Sequence, residues 1–209
     1  MKNLPSSPAR IAKLPVDERG YPVPFFVMWI DGKPDFRVID PAKMIVCFKQ
    51  KRCWICGDVL GKYLAFVIGP MCAINRISSE PPSHLECAEF AAKACPFLTM
   101  PKAHRREGGK PEGAKFSSSG LKRNPGVALV WVTINFEPFR SAPNEILFKV
   151  GSPVKVLWFC EGRSVTRAEV LHSIETGLPI VREMAANQGI EAVALLEKQC
   201  RDAERFYPV

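Results

Sequence analysis

The sequence predicts an α+β fold, and three observations predict it. Two short-spaced pairs of soft side chains, Cys53-x-x-Cys56 and His84-x-x-Cys87, flank an apolar segment. Strand-like runs joined by brief turn sequences then fill Val127 to Cys160, and closely spaced strands of this kind favour an antiparallel sheet. From Thr166 onward the apolar residues recur at helical spacing. Thiolate and imidazole in paired spacings suit a tetrahedral Zn²⁺. The predicted architecture is a treble-clef-like zinc centre packed on antiparallel sheet, with C-terminal helices closing it.

Residues 1–24 carry Pro5, Pro8, Pro15, Pro22 and Pro24. Each fixes φ and removes a backbone donor, so this stretch reads as an extended arm, laid on the body through Tyr21. Phe25–Ile30 and Phe36–Ile39 read as strands about the turn signal Asp31-Gly32. Asp40-Pro41 opens a turn or short helical segment, and Met44–Lys49 runs into the first cysteine pair. Tyr63–Ile68 is apolar, partly β-branched and bounded by Gly61 and Gly69-Pro70, which predicts a buried strand. Asn75 to Pro82 is a polar loop ending in two prolines. Ser83-His84-Leu85-Glu86 has the form of a capping box, with Ser83 as the cap. The helix it predicts, His84 to Ala94, turns Leu85, Ala88, Ala92 and Cys95 toward one face, and Pro96 stops it. His84 and Cys87, three apart, share one face of its first turn.

Beyond the basic stretch 101–125, Val127–Phe136, Ile146–Val150 and Val154–Cys160 read as strands. Thr166-Arg167-Ala168-Glu169 repeats the capping pattern and opens a helix to about Thr176. Gly177 is read as its stop and Pro179 as the first residue of another helix. A last amphipathic helix follows Gly189 and ends near Phe206. The organisation is residues 1–100 (arm, small sheet and zinc unit), 101–125 (exposed basic loop) and 126–209 (strands, then helices), read as one integrated unit.

Composition narrows the class. Hydrophobic residues make up 47% and charged residues 24% of the 209, as in a globular chain and unlike a disordered one. The longest apolar run, Tyr63 to Ile74, is broken by Gly69-Pro70 and falls short of the ~20 residues a membrane helix needs. The N-terminus lacks the apolar block of a signal peptide. With no export signal, the eight cysteines read as metal ligands and reduced core thiols, and the expected compartment is cytoplasmic. Cys47, Cys160 and Cys200 lie among apolar residues and read as core thiols. Cys72 and Cys95 are the alternative metal ligands, and a redox pair is the alternative role for Cys53 and Cys56.

The net charge is +8, and seven Lys or Arg against Glu107 and Glu112 put +5 of it between Pro101 and Pro125. Such a run is commonly a solvated loop, and it is also the electrostatic footprint of nucleic-acid binders. The candidate phosphate contacts are Lys49, Lys51, Arg52, Arg76, Lys102, Arg105, Arg106, Lys122 and Arg123. Lys51 and Arg52 also stand next to a centre whose three thiolates and neutral imidazole would leave Zn²⁺ with one net negative charge. Trp54, inside the cysteine turn, is the candidate stacking platform; the other tryptophans read as core. Arg76, Ser78 and Glu80 form a polar rim that could serve an enzyme or a small-ligand or nucleotide pocket beside the zinc. No catalytic residue is assigned: there is no phosphate loop, no nucleophile elbow and no HExxH. His104 and His172 have no catalytic context.

The segments LPVDERGYPVPFFVMWIDGKPDFRVID, KRCWICGDVLGKYLAFVIGPMCAINRISSEPPSHLECAEFAAKACPFL, NPGVALVWVTINFEPFR and GRSVTRAEVLHSIETGLP resemble a zinc-finger-containing family of uncharacterised proteins of bacteria and their phages. The likeness spans almost the whole chain and implies a bacterial or phage setting without an established activity. Three functions follow as expectations: a zinc-stabilised nucleic-acid-binding or regulatory protein, an enzyme or small-ligand binder with its pocket beside the metal, and a phage-type adaptor that blocks a host protein.

Overall fold

The computed structural model describes residues 4–100, 125–143 and 145–209. Lys102, Arg105, Arg106, His104, Lys122 and Arg123 of the basic stretch lie outside the described residues. The first half of the chain forms α1 (Ala9–Ala12), β1 (Val27–Ile30), β2 (Lys33–Ile39), α2 (Pro41–Lys49), β3 (Leu64–Ile68), α3 (Pro70–Asn75), β4 (Ile77–Ser78), α4 (Leu85–Ala94) and α5 (Pro96–Thr99). The second half forms β5 (Val127–Thr133), β6 (Phe136–Ala142), β7 (Glu145–Val150), β8 (Lys155–Cys160), β9 (Arg163–Ser164), α6 (Arg167–Gln188) and α7 (Ile190–Ala203). A 3-10 turn over Glu204–Phe206 ends it.

Every strand pairing is antiparallel: β3-β5-β8-β9 form one sheet, β4-β7-β6 a second, and β1-β2 a hairpin. β3 pairs with β5 from Leu64↔Thr133 to Ile68↔Leu129, so residues on either side of 101–124 share one sheet. Alternation then divides the core. Ala65, Val130, Val132 and Phe159 point to one face, where Ala88 and Ala92 of α4 pack on them. Leu64, Phe66, Leu129, Trp131 and Trp158 point to the other, which takes α3, α6, α7 and the second sheet. Phe66 meets Phe136 at 5.8 Å, and Phe136 meets Phe148 at 5.8 Å, joining the two sheets. Period-two alternation commits a strand to both faces at once, so the same β5 seats α4 on one side and the larger core on the other.

Several elements depart from the sequence expectation. The arm is not wholly extended: Ala9–Ala12 turn once as α1, and Ile11 is buried. Pro70 does not stop structure. It opens α3 at the first helical position, where its missing N–H costs nothing. The strand expected over Val127–Phe136 ends at Thr133, because the chain turns at Ile134-Asn135 and returns as β6. Thr133 Oγ1 donates to Ser152 O at 2.9 Å and accepts from the Asn135 N–H at 3.4 Å, fixing that turn.

α6 runs unbroken through Gly177 and Pro179. Its buried face, Val170, Ile174, Gly177, Leu178 and Ala185, continues across both residues, and burial offsets the helix penalty of about 1 kcal/mol for Gly and about 3 for Pro. The capping box at its start is formed as expected, with Glu169 N–H donating to Thr166 Oγ1 and Thr166 N–H to Glu169.

Candidate metal centre

The knuckle is built by its backbone. Cys53 N–H donates to Asp58 O at 2.8 Å and Gly57 N–H to Cys53 O at 2.9 Å, while Arg52 and Val59 bridge across the base. Gly57 turns with φ 79, and a Cβ there would sit 2.8 Å from the Phe25 ring. A residue other than glycine meets both a strained φ and that ring. Arg52 Nη1 closes the turn by donating to Gly57 O at 3.0 Å.

The helix supplies the second pair, with a different cap from the one expected. Ser83 is not the cap, because its backbone N–H and C=O pair with Ala65 at 2.7 and 2.9 Å. This short bridge to β3 delivers His84 to the N-cap of α4. Glu86, freed from a capping role, pairs with Arg10 of the arm at 3.0 Å. Between the two pairs, β3 pairs with β5, and α3 and β4 occupy much of the rest of the interval.

Cys53, Cys56, His84 and Cys87 converge, their ligand atoms all within 4.8 Å of one another. A tetrahedron with Zn–S near 2.3 Å has edges of about 3.8 Å, so the cluster has the size of an M²⁺ site. Cys56 Sγ lies 3.3 Å from His84 Nδ1. His84 Nε2 faces Val59 O at 3.0 Å, which places the proton on Nε2 and the lone pair of Nδ1 toward the sulfurs. Cys53 and Cys87 are fully buried. All eight cysteines are free thiols, and neither Cys72 nor Cys95 belongs to the cluster.

The protons are unevenly held. The thiols of Cys56 and Cys87, and the backbone N–H groups of Cys56 and His84 at 3.4 Å, all converge on Cys53 Sγ. They drive its pKa far below the ordinary thiol range in spite of burial. Cys56 is pushed up to about 11, chiefly because it donates to Cys53. Cys87 rises further through its bonds to both. Three packed thiols therefore share their charge poorly without a cation, and a divalent ion would complete the ionisation. Arg10 acts on Cys56 across space and donates to Asp58 at 2.8 Å.

The arm also supplies a lid. Ile11, 1% exposed, packs with Cys53, Ile55, Cys87, Phe90 and Ala94. Nothing in the arm's sequence but a single isoleucine between Arg10 and Ala12 signals this. Beside the lid runs an open groove of about 580 Å³ lined by Arg10, Lys62, Tyr63, His84, Glu86 and Lys93, among others. Arg10 and Lys93 are paired with Glu86 and Glu89. Lys62 has no ion pair among the described residues; its ammonium stands 5.8 Å over Tyr63, a ring that is 55% exposed. A second hollow shares Tyr63 and Leu85 and continues to Val154 and Lys155.

The remaining predicted site residues are scattered. Lys49 and Lys51 are exposed at the corner between α2 and the knuckle. Arg52 is spent on Gly57 and on Gln50, which accepts from its Nε at 3.1 Å. Trp54 is 2% exposed beneath Phe26, the rings stacked at 4.7 Å, so it offers no platform to a base. Arg76 lies over Trp131, on the sheet face away from α4. Ser78 is buried and bonded to Glu80 O at 2.8 Å. Of the rim expected beside the zinc, Arg76 lies on the other sheet face, and none of Arg76, Ser78 and Glu80 lines the metal-side groove. Tyr63 and Lys62 were not singled out as site residues from sequence, although an aromatic next to a lysine before a strand was visible.

No protein-family model, curated protein or solved structure matches this chain. Among the described residues, no helix is long and apolar enough to cross a membrane.

Proposed function

We propose that this chain is a zinc-stabilised nucleic-acid-binding protein, its Cys53, Cys56, His84 and Cys87 holding Zn²⁺ in a treble-clef-like arrangement of knuckle and helix start. One observation carries the reading: four side chains able to close a metal shell lie within 4.8 Å of one another, and beside them Lys62, without an ion pair among the described residues, stands over the exposed Tyr63 ring. A closed shell makes the metal structural, since catalytic zinc keeps a position for water or substrate. Function then falls to the surface around it. Lys49, Lys51 and Lys62 supply charge for phosphates, and Tyr63 supplies a face on which a base can stack. In the sequence, the basic stretch with Lys102, Arg105, Arg106, Lys122 and Arg123 supplies further positive charge.

Titration of the metal-loaded protein with labelled single- and double-stranded oligonucleotides tests this. Affinity should fall steeply with salt, with a slope of about −0.9 per phosphate contact on duplex and about −0.7 on single strands. Reversing Lys102, Arg105, Arg106, Lys122 and Arg123 should flatten that slope across all sequences. Tyr63→Ala should weaken single-strand binding by about tenfold, the scale of one stacked base. No binding of any nucleic acid at low salt would dispose of the proposal. The groove, whose volume is that of a small-molecule site, would then favour a small-ligand function.

A further inference from the structure

A second cationic cluster stands on the opposite face of the four-stranded sheet from α4. Arg76 caps α3 at its C-terminus with left-handed backbone, φ 59 and ψ 31. Glycine is the default there because it has no Cβ to crowd the carbonyl, so an arginine in this place contributes through its side chain. Its guanidinium carbon lies 4.3 Å from the centre of the Trp131 ring and 5.0 Å from that of Phe206. Arg205 brings its own guanidinium to 4.7 Å from the same Phe206 ring. Both walls are fixed. Trp131 Nε1 donates to Gly151 O at 2.9 Å, and Phe206 O accepts from Trp158 Nε1 at 2.7 Å.

The two guanidinium groups are charged and unanswered. Among the described residues no acceptor forms a hydrogen bond or ion pair with either of them. Asp202, on the last turn of α7, attracts Arg76 through space without pairing with it. Partial burial, and then the like charge of Arg205, disfavour the Arg76 cation. A half-buried charge left without a partner, as at Arg76, is costly, and the like charge of the exposed Arg205 adds repulsion. An anion between them would relieve both.

We propose that Arg76 and Arg205 form a binding site for a phosphate group. Each guanidinium carbon stands over an aromatic ring and no acceptor among the described residues takes its N–H groups, which leaves a fork able to grip two oxygens of a tetrahedral oxyanion. Trp131 is fully buried, so its ring is not offered to a base and the site reads charge alone. The site does not rest on the nucleic-acid reading, because inorganic phosphate is a sufficient ligand and the metal lies across the sheet.

Calorimetric titration of the metal-loaded full chain with inorganic phosphate tests it, with sodium chloride matched for ionic strength as the control. Wild type should bind phosphate in preference to chloride. Arg205→Glu, at an exposed position, should weaken that binding at least about tenfold with an unchanged melting temperature, and Arg76→Lys should weaken it by keeping charge but losing the fork. The variant reversed at Lys102, Arg105, Arg106, Lys122 and Arg123 should still bind phosphate, which separates failure here from failure of the nucleic-acid reading. If a 5′-phosphorylated oligonucleotide loses affinity alongside phosphate in Arg205→Glu, the site takes phosphate carried on nucleic acid; if only inorganic phosphate is lost, it takes the small ion. Phosphate binding no better than chloride, or unchanged in Arg205→Glu, would overturn the site and leave the arginines as a lid on Trp131.

Discussion

Truncating Ile11 to alanine should both destabilise the protein and expose its metal. The side chain is 1% exposed and touches two of the ligand cysteines' neighbourhood through Cys53, Ile55, Cys87, Phe90 and Ala94. Ile→Ala in a core costs about 2–5 kcal/mol, transfer of the lost carbons plus the cavity they leave. Ile11 sits on a four-residue helix at the edge of its cluster, where the arm can settle into part of the void. The expected loss is therefore near the lower end, about 2 kcal/mol. Around α1 the other anchors are weaker: Leu4 and Leu14 are only partly buried, and the Arg10 pairs are substantially exposed, while the buried Val23 holds the far end of the arm. If the whole loss falls on docking of the arm, the fraction of chains with the arm open rises about thirtyfold. Zinc transfer to a chromogenic chelator should quicken by up to that factor, and urea unfolding should report the stability loss. Lys13→Ala, two residues away and exposed, serves as the control. Stability within experimental error of wild type, with unchanged chelator kinetics, would refute the lid.

Gly57→Ala should destabilise the knuckle and weaken zinc binding, because it strains φ 79 and drives a methyl into the Phe25 ring; metal affinity by competition and thermal melting both report it. Thr166→Ala should cost about 1 kcal/mol in denaturant unfolding by removing the cap of α6. Glu169 of that cap has its pKa held well below the usual carboxylate range, first by Arg163 and then by the Thr166 backbone. A depressed folded pKa contributes stability above the unfolded value of about 4.3 that is lost as pH falls below it. The melting-temperature gap between wild type and Glu169→Gln should accordingly be present at pH 7 and shrink below pH 4.

What the sequence displays plainly is the chemistry that acts over short range. The two metal pairs are close in the chain and rest on local turns, and they come together. Thr166 and Glu169 form their box, and Asp31-Gly32 turns with positive φ at both residues, because the energies that select these conformations lie within a few residues. Misread features are those decided by distant contacts. Ser83 has the right spacing for a cap, yet Ala65 claims its backbone. Gly177 and Pro179 are breakers in isolation, yet a buried face running past them holds α6 straight through. Arg76 looks like a neighbour of the finger in the chain, but alternation along β5 puts Trp131, and with it the arginine, on the far side of the sheet. The burial of Ile11 and the exposure of Tyr63 have little local signature, since distant contacts decide what each covers or leaves bare.

Metal content of the purified protein tests the central claim most directly. Elemental analysis of wild type should find one zinc per chain, and Cys53→Ser should carry none while losing the fold around the knuckle and α4. Structural zinc contributes about 10–16 kcal/mol of apparent binding energy in small fingers, comparable to the whole stability of a domain. Wild-type protein that is folded and free of zinc, or a Cys53→Ser variant with zinc content and stability intact, would contradict the account.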